Sequence, residues 1–325
     1  MKHKVVTWSL VALAALTAGT GAAVAQTFPT KPVRIVVPFA PGGGTDIVAR
    51  IMGPKLSQAL GQPVNIENRP GAGGTTGSEF VAKAAADGYT LGIATSSTHG
   101  AAPSLYKKLG YDPLRDFETI ALLVTTPFML AVKKDLPVNS VGDLVTLAKN
   151  NPGRLNYASA GVGSSNQLTV ELLKMMTGTS LVHVPYKGSG PALADLVSGQ
   201  VDLVINDLAS LMGFVRGGNI KPLAVTSLKR SPMVPDLPTL DESGVRGYEA
   251  LAWYGILAPR GTPPDVLATL QKAIQGAISD PAIRDQLVRQ GFDLRDETGP
   301  RFQSFIERDV KKWEEVVKAS GASVN

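Results

Sequence analysis

The sequence predicts an α/β protein of two doubly wound lobes, joined by two crossing strands and enclosing a ligand cleft. A unit of strand, glycine- or serine-rich turn and helix recurs in both halves of the chain. Two longer apolar, β-rich stretches, 117–132 and 248–259, separate the halves. Short strands that alternate with helices indicate parallel sheets, whose ligands bind beyond the carboxyl ends of the strands. Hinge closure of two such lobes can trap a ligand.

The first 25 residues have the pattern of a secretory signal peptide. Lys2 and Lys4 precede an apolar run over 5–18, and Ala23-Val24-Ala25 is a small-residue cleavage site before Gln26. A membrane anchor is the alternative, but the run is too short to span a bilayer comfortably. We therefore predict cleavage near Ala25/Gln26 and a soluble exported protein.

Composition narrows the class of protein. The chain has 325 residues and no cysteine, so it forms neither a disulfide nor a lipoprotein anchor. Its formal charge of +5 falls to +3 when Lys2 and Lys4 are removed. No basic run or basic-aromatic stripe suggests a nucleic-acid partner. The length fits two domains, and we expect a monomer.

The first strand–turn–helix unit organises the chain. Residues 33–37 form a β-branched strand, and Gly42–Gly44 form a flexible turn before a helix capped by Thr45 or Asp46. Glycines allow close backbone approach, and the first N–H groups of a helix bind anions. A turn that only bends the chain is the alternative, but three consecutive glycines before a capped helix favour a ligand role.

Later segments repeat this pattern. In the first half, we predict strands over 63–68 and 89–95, with a glycine-rich turn over 69–78 and a polar loop over 96–99. In the second half, we predict strands over 155–158, 181–185, 201–205 and 220–226, turns over 159–166 and 186–191, and helices over 167–176 and 192–198. The tail is predicted to be helical over 264–278, 281–290 and 301–319.

The two crossing stretches divide the chain. We predict a signal peptide over 1–25, a discontinuous first domain over 26–125 and 252–325, and a second domain over 126–251. Trp253 and Tyr254 lie on the returning stretch, where we favour hinge packing over cleft lining.

The turns offer backbone N–H groups and hydroxyls from both sides of the cleft. Such walls suit a ligand with acceptors at both ends, either a dicarboxylate or a phosphate ester. Catalysis has little support, because His99 and His183 are far apart and neither a G-x-S-x-G elbow nor a Walker lysine motif is present. We expect no metal and no cofactor, and His183 is interpreted as a core residue.

Several long motifs resemble the Bug (TctC-like) solute-binding proteins of tripartite tricarboxylate transporters. They are PTKPVRIVVPFAPGGGTD at 29–46, ENRPGAGG at 67–74, ADGYTL at 86–91, HVPYKG at 183–188 and WYG at 253–255. The resemblance covers essentially the whole chain after the signal segment. It implies a two-lobed, type II periplasmic binding protein that closes on a carboxylated solute.

The resemblance also implies which residues contact the solute. One carboxylate is held mainly by main-chain amides and hydroxyls without an obligatory arginine, and bridging waters hold the other end. Carried onto this sequence, the contacts are Phe39, Ala40, Gly43, Thr45 and Asp46 in the first lobe, and Ser159, Gly163, Ser164, Ser165, Asn166 and Asp207 in the second. The donor-rich turns add Thr76, Ser96 and Gly188. Many relatives have histidine at the position of Gln167, which departs from the pattern.

The predicted function is capture of a small carboxylate and its delivery to the membrane components of such a transporter. A dicarboxylate, an aromatic carboxylate and an amino acid are all candidate ligands. A periplasmic sensor that presents its closed form to a signalling partner is an alternative. A second alternative is an enzyme acting on a phosphate or ester.

Overall fold

The computed structural model describes residues 28–320 and residue 323, so the predicted signal peptide lies outside the described residues. The strands are β1 (Val33–Val37), β2 (Val64–Asn68), β3 (Thr90–Thr95), β4 (Phe117–Lys133), β5 (Asn156–Ser159), β6 (Val182–Pro185), β7 (Leu203–Asp207), β8 (Ile220–Val225), β9 (Leu251–Pro259) and β10 (Asp293–Leu294). The helices are α1 (Gly44–Leu60), α2 (Thr75–Ala82), α3 (Ala102–Leu105), α4 (Val141–Asn150), α5 (Ser165–Thr177), α6 (Ser189–Val197), α7 (Leu208–Arg216), α8 (Pro264–Ser279), α9 (Pro281–Arg289) and α10 (Pro300–Ser320).

The strands form two sheets with the same internal order. In the first lobe, β1 lies between β2 and β3 and is parallel to both, and β9 then pairs antiparallel with β3 and with β4. In the second lobe, β5 lies between β6 and β7 and is parallel to both, and β4 then pairs antiparallel with β7 and with β8. The two-lobed α/β prediction is therefore confirmed.

β4 belongs to both sheets. Its first part, from Phe117 to Pro127, pairs with β9, and its second part, from Phe128 onward, pairs with β7 and β8. The chain returns to the first lobe through β9. The partner of β4 thus changes near the predicted boundary at 126, although the exact division into domains remains a prediction.

The first-lobe sheet is covered on both faces, as its apolar strands predict. Ile35 of β1 packs into a cluster with α1 and α8, while its neighbour Val36 packs on the opposite face with Val81 and Phe302. Successive residues of a strand point to opposite faces, so a strand with apolar residues at both must be buried on both. Burial of each such side chain contributes about 1.5–3 kcal/mol. These clusters fix the sheet whose strand ends carry the cleft.

The structure differs from the sequence prediction at three segment ends that face the cleft. α5 begins at Ser165 and not at 167, because the Ser164 hydroxyl caps it by accepting from Gln167 N–H. α6 begins at Ser189 and not at 192, since proline is tolerated in a first helical turn. Residues 96–99, predicted as a polar loop, belong to a turn of π-helix over Ser96–Ala101. Across residues 28–320, no helix is both long and apolar enough to cross a membrane.

Candidate ligand-binding site

A cavity of about 20 Å³ lies between the lobes, where β1, β3, β5 and β7 end. This volume has room for about one water molecule, so the lobes are closed tightly on one another. Its walls combine small polar side chains with a few aromatic ones. They are Phe39, Gly43, Gly44, Thr45, Thr95, Ser96, Ser97, Phe128, Ala160, Ser165, Asn166, Ser189, Asp207 and Tyr254.

Three helices begin at this cavity. α1 of the first lobe starts at Gly44, and α5 and α6 of the second lobe start at Ser165 and Ser189. The first N–H groups of a helix have no partner within it, and the helix dipole places partial positive charge there. Three such ends around one cavity attract an anion without a cationic side chain.

The cavity lining has few charged side chains, which is unusual for a site that binds an anion. Among the described residues that line the cavity, none is lysine, arginine or histidine, and Asp207 is the single carboxylate. Hydroxyl and amide groups supply the remaining polar surface. Recognition of an anion in this cavity therefore depends on neutral donors and helix ends.

Four of the predicted first-lobe residues line the cavity, namely Phe39, Gly43, Thr45 and Ser96. The other three lie elsewhere. Ala40 lies against Gly188, so close that a Cβ on that glycine would come 2.9 Å from the Ala40 Cβ. Asp46 accepts hydrogen bonds from Arg50 Nε at 2.8 Å and from Asn68 Nδ2 at 3.0 Å, which brace the turn before α1. Thr76 is exposed on α2.

Three of the predicted second-lobe residues line the cavity, namely Ser165, Asn166 and Asp207. The other four do not line the cavity and instead contact neighbouring residues. The Ser159 hydroxyl lies 2.6 Å from His183 Nε2, and Gly163 N–H donates to Gln167 Oε1 at 2.7 Å. Ser164 is the cap of α5, and Gly188 packs against the first lobe. Gln167 thus orders the turn before α5 by a contact that the sequence did not suggest.

Several lining residues were not predicted as contacts: Gly44, Thr95, Ser97, Phe128, Ala160, Ser189 and Tyr254. Thr95, Ser97, Ala160 and Ser189 lie in or beside turns that the sequence had marked as polar or small. Tyr254 corrects our interpretation of the returning strand. Trp253 is packed in the core, as we expected, and the next residue on a strand must face the other way, into the cavity.

Asp207 links the two lobes through its carboxylate. It caps α7 by accepting from Ser210 N–H at 3.2 Å and from Ser210 Oγ at 2.5 Å. Asp207 and the Tyr254 hydroxyl also lie against Gly44 at the start of α1, where a Cβ would collide with both. Burial raises the pKa of Asp207, and the hydrogen bonds from Ser210 oppose that rise.

Two further contacts cross the cleft. Ser165 N–H donates to Ser97 Oγ at 2.7 Å, and the two serine hydroxyls lie 2.9 Å apart. Tyr106 of the first lobe lies at the rim, with its hydroxyl 2.7 Å from Ala72 O and 3.1 Å from Val162 O of the second lobe. These groups can form their contacts only when the lobes are closed.

The two histidines among the described residues, His99 and His183, do not form a reactive pair with this site. His99 is buried beside Thr98, and burial lowers its pKa to about 3. His183 stacks on Tyr157, and burial lowers its pKa to about 4. It is only half-buried on the end strand β6, so its interpretation as a core residue is wrong. Within 28–320, no group of His, Asp and Glu side chains could hold a metal ion.

The duplicated lobes and the cleft lined by helix N-termini define a two-lobed solute-binding protein of the periplasmic class. The sequence model of the tripartite tricarboxylate transporter family receptor (TctC) matches residues 48–322. The chain belongs to this family, as the Bug (TctC-like) motifs predicted.

Relatives and solved structures agree with the assignment. The protein BugT of Bordetella pertussis is 36% identical over 95% of both chains. The Rhodopseudomonas palustris protein Rpa4515, solved with adipate, is 39% identical, with a TM-score of 0.89 over 91% of this chain and 99% of that one. MatC of the same organism, solved with malate, is 38% identical, with a TM-score of 0.86 over 89% and 100%. A further solved structure, of the periplasmic binding protein BugD, is 39% identical, with a TM-score of 0.88 over 91% of this chain and 99% of that one.

Proposed function

We propose that this chain captures a small dicarboxylate between its lobes and delivers it to the membrane components of a tripartite tricarboxylate transporter. The single observation that carries the proposal is the convergence of the α1, α5 and α6 N-termini on one cavity without a cationic side chain. A carboxylate is an anion whose two oxygens accept several hydrogen bonds at once. Backbone N–H groups and serine hydroxyls supply matching donors.

The ligand class follows from the two-sided arrangement of donors. α1 approaches from the first lobe, and α5 and α6 approach from the second. A dicarboxylate can place one carboxylate on each side and thereby hold the lobes together. Related proteins have been solved with adipate and with malate, which supports a dicarboxylate over the aromatic and amino-acid alternatives.

We retain the predicted contacts in two groups. Phe39, Gly43, Thr45, Ser96, Ser165, Asn166 and Asp207 are proposed to face the solute, because they line the cavity. Ala40, Asp46, Thr76, Ser159, Gly163, Ser164 and Gly188 are proposed to shape the surrounding turns. The chain is proposed to bind without catalysis, because neither His99 nor His183 lines the cavity.

Location and partner complete the proposal. The basic, apolar and small-residue segments of 1–25 support export and cleavage near Ala25/Gln26. The mature protein would then act in the periplasm as a monomer. Delivery is tested by measuring uptake of the identified solute in cells from which the gene is deleted and in the same cells after the gene is restored. Equal uptake in both would favour a sensor over a transport component.

A thermal-shift screen of the mature protein tests the ligand class. Malate, succinate, adipate, a monocarboxylate, phosphate and amino acids are compared at equal ionic strength. Solute at 100 times its Kd should stabilise the fold by about 2.7 kcal/mol. Ser165→Ala should reduce the shift, whereas Ser198→Ala, at an exposed position of the same lobe, should not. A shift with phosphate alone would contradict the carboxylate proposal.

A further inference from the structure

Each lobe places one side-chain oxygen at the N-terminus of a helix in the other lobe. Ser97 Oγ of the first lobe accepts from the N–H of Ser165, the first residue of α5 in the second lobe. The Asp207 carboxylate of the second lobe lies against Gly44, the first residue of α1 in the first lobe, so close that a Cβ on that glycine would collide with it. The two contacts differ in charge, because Ser97 presents a neutral hydroxyl and Asp207 a carboxylate.

The Asp207 contact has the chemistry expected of a bound solute. Only 4% of Asp207 is exposed, and it lines the same cavity as the α1 N-terminus. A carboxylate at a helix N-terminus is the arrangement by which such ends bind anions. With about 20 Å³ of space beside it, a dicarboxylate cannot enter unless the lobes separate and Asp207 leaves Gly44.

We propose that Asp207 is a specificity-determining residue whose carboxylate competes with the carboxylate of the solute for the N-terminus of α1. In the absence of a solute, this contact favours the closed arrangement of the lobes. When a dianion binds, Asp207 must move away from Gly44 and then lies close to a second negative charge. The residue therefore limits the affinity of the cleft for dicarboxylates.

The inference rests on the proposed function, because that function supplies the class of solute. The role of Asp207 in closure, however, can be tested without any solute. Asp207→Asn keeps an acceptor for the α7 cap and removes the negative charge. Asp202→Asn is the matched control, because Asp202 precedes the opposite end of β7 and pairs with Lys133 at 2.9 Å. Both substitutions change the net charge equally, and circular dichroism checks that each variant is folded.

Small-angle scattering of the proteins without added solute is the first measurement. Asp207→Asn should have a larger radius of gyration than the wild type, because it loses the charged contact between the lobes. Asp202→Asn should match the wild type. Equal radii for all three proteins would contradict a role of Asp207 in closure.

Isothermal titration with malate and with adipate is the second measurement. Asp207→Asn should bind at least one of them about tenfold more tightly than the wild type, and Asp202→Asn should stay within about twofold. Unchanged or weaker binding by Asp207→Asn would overturn the inference and leave the proposed function intact. If no protein binds any dicarboxylate, the proposed function fails and the scattering result alone decides the role of Asp207.

Discussion

At the scale of single residues, the basic side chains near the cleft bind other groups or face solvent. Arg69 donates from Nε to Glu67 Oε1 at 2.5 Å, and its guanidinium lies 3.6 Å from the centre of the Phe80 ring. It therefore braces its own turn, as an arginine that stacks on an aromatic ring commonly does. Lys187 is exposed and does not line the cavity.

Neutralising Lys187 tests whether a cation is needed. Because helix ends and hydroxyls surround the cavity, we expect Lys187→Gln to bind the best dicarboxylate within about tenfold of the wild type, or about 1.4 kcal/mol. Isothermal titration at low and high salt measures this, and salt should have only a modest effect on the wild type. A thousandfold loss in the folded variant would replace the proposed mechanism with a cationic clamp.

Asp309 predicts a pH dependence of stability. Its Oδ2 accepts from Trp253 Nε1 at 2.6 Å, and burial raises its pKa from 3.8 to about 6. The native state therefore keeps a proton that the unfolded state loses between these values. The corresponding stability is fully present below pH 3.8 and is lost as the pH rises through about 6.

Asp309→Asn should remove this dependence while keeping an acceptor for Trp253. We compare the free energy of unfolding of the variant with that of the wild type. The difference, variant minus wild type, should be about 2 kcal/mol higher at pH 7.5 than at pH 4.5. Urea unfolding at both values measures it. The exposed Asp236→Asn is the control and should show no such change. An equal difference at both pH values would mean that Asp309 is ionised throughout.

At the scale of elements, the start of α5 combines capping with cleft lining in two adjacent residues. Ser164 is fully buried and caps the helix, whereas Ser165 lines the cavity and contacts Ser97. The Ser164 hydroxyl therefore contributes to stability, and the Ser165 hydroxyl contributes to solute binding.

Alanine substitutions should separate these properties. Ser164→Ala should lower the free energy of unfolding by about 1 kcal/mol through loss of the cap. Ser165→Ala should weaken dicarboxylate binding by about 1 kcal/mol, since one donor is lost. Urea unfolding and isothermal titration of each variant measure the two effects. Loss of binding in a stable Ser164→Ala variant would place that hydroxyl on the solute instead.

Elements were more predictable from sequence than contacts. β1 and the turn before α1 follow from a β-branched run and three glycines, which are local signals. Ser189 was missed because α6 begins three residues earlier than its apolar positions suggested. Tyr254 was missed because the face of a strand depends on register, and the register of β9 is fixed by distant partners in β3 and β4. Pairs across the cleft, such as Asp207 with Gly44, depend on closure and carry no local signal.

At the scale of the whole molecule, closure depends on contacts that lie outside the cavity as well as within it. Tyr106 is at the rim and does not line the cavity, yet its hydroxyl lies within hydrogen-bonding distance of carbonyl oxygens in both lobes. Burial raises the pKa of Tyr106, so it remains a donor at neutral pH. Such a group stabilises the closed arrangement without touching the solute.

Tyr106→Phe should therefore weaken solute binding although every solute contact remains. We expect a loss of about 1 kcal/mol, the net value of one hydrogen bond. Titration measures the affinity, and scattering at saturating solute checks that the variant still closes to a smaller radius of gyration. Tyr186→Phe is the control, because its hydroxyl bonds to Asp195 within the second lobe. Equal losses in both variants would argue against a contact specific to closure.

The pairing of β3 with β9 also has a consequence for how the protein refolds. Thr95 pairs with Tyr254, so the whole second lobe lies between two neighbouring strands of the first-lobe sheet. Pairing of strands distant in sequence is slow, because a long loop must close first. The second-lobe sheet uses strands from one continuous segment, β4 to β8. During refolding, the amides of the second-lobe sheet should become protected from hydrogen exchange first. The amides of β1 to β3 should become protected later, after β9 has paired with β3.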